Sequence, residues 1–111
     1  MASYTDDTAA IAAQKIDIDE TINRLGSKKG VESVMVLTKD GRVIRTTATP
    51  KHSEIQGKLL SRLARDAAEI VEELESQDDL SFLRIRTKRH EIMLALDHNY
   101  LLVIVQSPQK E

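Results

Sequence analysis

At 111 residues the chain suits one domain with a core of its own. With 41% hydrophobic residues, 31% charged residues and a formal net charge of −2, it offers no general electrostatic pull on nucleic acid or an anionic membrane. The lack of cysteine excludes disulfides and thiol catalysis, and Tyr4, Phe82 and Tyr100 are too few aromatics for a base-stacking platform.

Residues 1–16, "MASYTDDTAAIAAQKI", mix Ala with Ser, Thr and Asp and carry no apolar stripe, so a flexible N-terminal extension is expected there. A domain over 17–108 and a short tail over 109–111 complete the expected organisation. Asp17 followed by Glu20 resembles a capping box, and Ile18, Ile22 and Leu25 then line one face of a short helix ending near Ser27.

From Val31 to Thr38 the residues turn β-branched, and "KDGR" follows, with Asp40 and Gly41 suited to the positive φ angles of a type I′ hairpin. The return strand is Val43 to Thr49. Pro50 opens one long helix, placed from Ser53 to Ser76 because Ile55, Leu59, Leu63, Ala67, Ile70 and Leu74 recur at threes and fours. Three strands follow at Leu80–Thr87, Glu91–Leu96 and Tyr100–Gln106, joined by "KRH" and "DHN" turns. The order α-β-β-α-β-β-β predicts an α+β fold: a five-stranded antiparallel sheet with helices on one face. No apolar run approaches the roughly 20 residues of a membrane helix and no secretory signal is visible, so membrane insertion is not expected and the cytoplasm is the expected setting.

The long helix carries more apolar surface than one sheet consumes. At about 100° per residue, Ile55, Leu59, Leu63, Ile70 and Leu74 form one sector, assigned to the sheet. Gly57, Leu60, Ala64, Ala67, Ala68 and Val71 extend the arc with mostly small side chains, where a second helix is expected to approach closely. Lys58, Arg62 and Arg65 precede Glu69, Glu72, Glu73 and Glu75, the wrong order for the helix dipole. An antiparallel copy would set Lys58 near its Glu72 and Arg62 near its Glu69, so a two-fold homodimer is expected.

Catalytic patterns are missing. His52, His90 and His98 have no metal-ligand spacing, "GSKKG" precedes a strand where a phosphate loop precedes a helix, and no GxSxG elbow or paired carboxylates occur. Neither a metal nor a cofactor is expected. "RIRTKR" is the one nucleic-acid signal, and alternation splits it: Phe82, Arg84 and Arg86 share one face of a strand while Leu83 and Ile85 take the core face. One aromatic with an Arg pair is too little for RNA recognition, so no nucleic-acid partner is expected.

"GVESVMVLTKDGRVIRTT" (30–47) and "DDLSFLRIRTKRHEIMLALDHNYLLVIVQSP" (79–108) resemble the roadblock family of dynein light chains, above all in "FLRIRTKRHEIM" and "IRTT". The resemblance implies a domain that dimerises through the long helix and the third strand, so that two sheets merge into a continuous ten-stranded one. It implies a non-catalytic light chain, homodimeric or paired with a paralogue, that binds the dynein intermediate chain and supports motor assembly, cargo attachment and transport along microtubules. The implied setting is a microtubule-associated dynein complex of the cytoplasm and cytoskeleton, or of a ciliary or flagellar axoneme. Distant relatives form platforms for small GTPases, the alternative that the resemblance also implies. Carried onto this chain, the dimer contact is expected at Leu60, Ala64, Ala67, Ala68, Val71, Phe82, Arg84 and Arg86. Met93 and Tyr100 are expected to meet the intermediate chain. Arg42-Val43 departs from the Pro-containing turn exit of many members.

Overall fold

A computed structural model of the chain describes residues 18–108; the expected extension over 1–16, Asp17 of the capping box and the tail over 109–111 lie outside the described residues. The elements run α1 (18–26), β1 (Val31–Thr38), β2 (Val43–Thr46), α2 (Pro50–Leu74), β3 (Phe82–Arg86), β4 (Glu91–Leu96) and β5 (Tyr100–Gln106). The five strands form one antiparallel sheet in the order β2-β1-β5-β4-β3, so β2 and β3 are its edges.

The expected α+β fold and element order are present, with one correction. The helices lie on opposite faces of the sheet, not on one. Alternation along β1 sends Met35 and Leu37 into a cluster with Ala64 of α2, and sends Val34 and Val36 into a second cluster with Ile22 of α1. β5 divides the same way, with Leu101, Val103 and Val105 under α2 and Tyr100, Leu102 and Ile104 toward α1. The run "VMVL" is buried at all four positions because both faces of β1 are covered.

α2 begins earlier than its apolar period suggests. Thr49 is the N-cap, its hydroxyl accepting from the His52 N–H at 3.3 Å, and Pro50 takes a first-turn position where no N–H is missed. The helix then passes close to the β1–β2 turn. A Cβ on Gly57 would lie 2.8 Å from the Gly41 carbonyl oxygen and 3.2 Å from Leu37 Cδ2, so only glycine fits there.

That turn corrects the expected type I′ hairpin. Gly41 alone has positive φ, +95°, and Asp40 does not. The loop closes through Gly41 N–H to the Thr38 carbonyl at 3.0 Å and Thr38 N–H to the Arg42 carbonyl at 2.8 Å, a three-residue connection with glycine in the left-handed position. The Thr38 hydroxyl donates to the Asp40 carboxylate and accepts from the Arg42 N–H at 3.0 Å, which holds Asp40 in place. β2 ends at Thr46 and not at Thr49, because Thr46 Oγ1 turns to Ser53 Oγ at 2.7 Å and accepts from the Ala48 N–H at 3.0 Å, bending the chain into α2.

Candidate partner interface

α2 has only Ser53, Gly57, Ser61 and Ala64 buried, all on the side that touches the sheet. Its bulky residues face the other way: Ile55, Leu59, Leu63, Ile70 and Leu74 are 53, 51, 39, 59 and 81% exposed. The two sectors of the helix are therefore exchanged relative to expectation. Close packing explains the exchange, since small residues let the helix axis approach the sheet and larger ones would hold it off. Ala64 is buried in the cluster with Leu37 and Leu101, and Leu60 packs against that cluster, so these two expected contact residues serve the chain's own core. Ala67, Ala68 and Val71 are half-buried on the flanks of the same side.

The open edge of the sheet is β3, which pairs with β4 alone among the described residues. It spans Phe82–Arg86, shorter at each end than the Leu80–Thr87 read from the sequence. Alternation holds as expected: Leu83 packs against the α2 cluster, while Phe82, Arg84 and Arg86 are exposed. Cross-strand register places Phe82 opposite Ala95, Arg84 opposite Met93 and Arg86 opposite Glu91, and these align in turn with Leu102, Ile104 and Gln106 of β5. This is the face that α1 covers farther along, over β1, β2 and β5.

Arg84 is positioned by several neighbours. Its guanidinium carbon lies 5.9 Å from the Phe82 ring centroid, its Nε lies 3.8 Å from Glu91 Oε2, and its Nη2 donates to Met93 Sδ at 3.8 Å. Glu91 is buried and accepts from Gln106 Nε2 at 2.8 Å, so its carboxylate is a fixed post against which the arginine rests. Glu91, not singled out in the sequence, is the carboxylate within reach of Arg84. Thr87 and His90 close the hairpin around a two-residue turn, Lys88-Arg89, and this register sets Glu91 across from Arg86 and diagonal to Arg84. At the same end of the sheet, His90 Nδ1 lies 3.0 Å from Glu32 Oε1, and Ser107 Oγ donates to Glu32 Oε2 at 3.1 Å.

Met93, half-buried, lies on this face beside Arg84. Tyr100 is on the same side of the sheet but packs into the α1 cluster, away from the group around Arg84. His52, His90 and His98 are not brought together, and no group of three or more potential metal ligands exists among the described residues. An open cleft of about 630 Å³ runs between α2 and the ends of the strands, lined by Asp40, Glu69, Glu72, Asp78, Asp79 and Asp97 over a floor that includes Ala64, Leu96 and Leu101. The Asp40 carboxyl is held below its ordinary range, because the Thr38 hydroxyl stabilises its ionised form. No helix of the described residues is long and apolar enough to cross a membrane.

The geometry thus concentrates on two features, a bulky apolar helix stripe and an open sheet edge. Comparison with known proteins agrees with the fold. Residues 17–107 match the family model described as "Roadblock/LC7 domain", and the chain belongs to that family. Among solved structures, a Roadblock/LC7 domain from Streptomyces avermitilis is similar with TM-score 0.70 at 13% identity, over 75% of this chain and 71% of that one. A structure titled "MglB with tetrameric arrangement" is similar with TM-score 0.67 at 15% identity, covering 79% and 68% of the two chains. The gliding protein MglB from Thermus thermophilus follows with TM-score 0.62 at 16% identity, covering 80% and 67%.

Proposed function

We propose that this Roadblock/LC7 chain is a non-catalytic, dimeric platform for protein partners. The observation that carries the reading is the α2 stripe of Ile55, Leu59, Leu63, Ile70 and Leu74, left exposed by a helix that uses only small residues against its own sheet. A contiguous apolar surface of this kind marks an interaction site. Covering even half of a leucine or isoleucine side chain is worth on the order of 1 kcal/mol, so several on each copy suffice for a stable pair. The dimer is antiparallel about the stripe, with the cationic first half of α2 beside the anionic second half of its copy.

The dimer presents two equivalent surfaces built on β3 and β4, so a partner that is itself paired gains from effective concentration without new contacts. For the occupant, "FLRIRTKRHEIM" favours a segment of the dynein intermediate chain. The role is then that of a light chain supporting motor assembly, cargo attachment and microtubule-based transport, in the cytoplasm or an axoneme. The second reading is a platform or regulator for a small GTPase, and it is favoured by the names of two of the like-folded structures, which are MglB proteins. Titrating the purified protein with intermediate-chain segments and, separately, with a small GTPase while following nucleotide turnover distinguishes the two. Intermediate-chain binding at micromolar concentration with no change in turnover supports the light-chain role; the reverse result supports the GTPase platform. A monomer mass in light scattering at tens of micromolar would remove the basis of both.

A further inference from the structure

The cleft beside α2 stands apart from the exposed stripe of that helix. The α2 residues that line it, Ser61, Arg65, Ala68, Glu69 and Glu72, fall at about 100° per residue on the flank turned away from the stripe. Its other walls come from the segment ahead of β3 and from the β4–β5 turn, not from the outward edge of β3. Covering the stripe therefore does not fill the cleft.

The charge of the lining is one-sided. The Asp40 carboxyl is held low first by the Thr38 hydroxyl and then by Arg42 and Arg65, so Arg65 is engaged at that rim. Glu69, Glu72, Asp78, Asp79 and Asp97 are exposed, and none of them forms an ion pair among the described residues. Lys39 and His98 are all that the lining then sets against five carboxylates. α2 also ends with no basic residue in its last turn, so the negative end of its dipole adds to the same potential.

Acidic walls alone describe a solvated face, but these stand over an apolar floor. Ala64 and Leu101 are buried at its base, and Leu80 and Leu96 are half-exposed to it. At about 630 Å³ the cleft falls within the roughly 300–1,000 Å³ of clefts that seat ligands. A bare metal ion uses neither the floor nor the breadth of the walls, and no group of three potential metal ligands exists among the described residues. A chain alternating cationic and apolar side chains uses both. Its apolar side chains turn down onto Leu80 and Leu96, and its long cationic ones fold back to the carboxylate rim.

We propose that this cleft is a docking site for an extended segment of a protein partner in which Arg or Lys alternates with leucine-like residues. Complementary charge draws the segment in and sets its register, and the floor holds it.

The probe is a blocked, fluorescent Arg-Leu-Arg-Leu-Arg peptide titrated into the full chain and followed by anisotropy. Saturable binding is expected at about 100 μM or tighter, with one peptide per chain and weakening as salt rises. Asp78→Asn, Asp79→Asn and Asp97→Asn combined weaken it roughly ten-fold. The amide oxygens keep the turn bonds that Asp78 accepts from the Asp79 N–H and Asp97 from the His98 N–H, so the fold is preserved. Glu54→Gln, Asp66→Asn and Glu73→Gln combined make the same charge change away from the cleft and leave binding unchanged. Equal weakening by both triple variants would reduce the effect to bulk attraction and overturn the proposal. An Arg-Ser-Arg-Ser-Arg peptide binds about five-fold more weakly or worse; equal binding would deny the floor its role and overturn it too. Sedimentation with the peptide bound leaves the association state as it was. Dissociation of a dimer by the peptide would assign the cleft to the contact between copies, a third way for the proposal to fail. Because the peptide is counted per chain, a wild-type monomer would remove the dimer reading without touching this one.

Discussion

The two edges of the sheet are built to opposite ends. β2 has four residues, its pairing with β1 slips register between Val36 and Leu37, and its side chains are tied inward: Arg45 Nε to Asp19 of α1 at 2.8 Å, Thr46 to Ser53 of α2. Short length, a bulge and tethered side chains are the usual ways of closing an edge to other chains. β3 has five residues in unbroken register with β4, and it exposes Phe82, Arg84 and Arg86. The contrast teaches that the domain protects one edge and leaves the other available.

Four experiments break or sharpen this contrast. The largest effect is expected from Ala64→Glu, which places a carboxylate among Leu37, Leu94 and Leu101. Burying an unpaired charge there costs on the order of 4 kcal/mol or more, so urea or thermal unfolding by circular dichroism should show a collapse of the fold. On the sequence pattern alone that substitution would break a dimer; in this packing it breaks the monomer. Gly57→Val attacks the seal between α2 and the β1–β2 turn, where a Cβ meets the Gly41 carbonyl oxygen at 2.8 Å, and should cost about 3 kcal/mol of stability by the same measurement.

On the open side, Leu59→Asp combined with Leu63→Asp should leave the unfolding midpoint of the monomer nearly unchanged and raise the dimer dissociation constant roughly 100-fold or more, as measured by sedimentation. If both substitutions lowered monomer stability and spared association, the roles of the two helix sectors would be reversed. Smallest is Arg45→Ala at the closed edge. Its ion pair with Asp19 is about half exposed on both sides, so the loss should be under about 1 kcal/mol and association should not change.

Asp40 adds a pH arm to the closed side. Its folded pKa lies below the ordinary 3.8 because the Thr38 hydroxyl favours the carboxylate. The stabilisation from this turn is therefore fully present above about pH 4 and is lost as pH falls through the folded value. Asp40→Asn should flatten that acid limb of the stability curve, compared with wild type by denaturant titration between pH 2 and 5.

Much of the fold is legible in local chemistry. The bounds of β1, β4 and β5 coincide with their β-branched and alternating runs, and Thr49-Pro50 marks the start of α2. The alternation of "FLRIR" sorts core from surface on β3 correctly. Hairpin geometry was less legible: Asp-Gly reads as a two-residue turn, but the hydroxyl of Thr38 and the close passage of α2 select a three-residue one. For the same reason Glu91 is missed as the anchor of Arg84, since its role depends on a register that the turn sets.

By itself the sequence determined the strand periods, the excess apolar arc of the long helix, its reversed charge order and the polar face of β3. These are properties of successive residues, fixed by 2.0 and 3.6 residue periods. Only the tertiary structure decided that α1 and α2 take opposite faces of the sheet, and that the small-residue sector of α2 goes inward while the bulky one stays outside. The helical wheel measures how wide an apolar face is but not how close a neighbour must come. At Gly57, Ser61 and Ala64 the distance to the sheet made that choice.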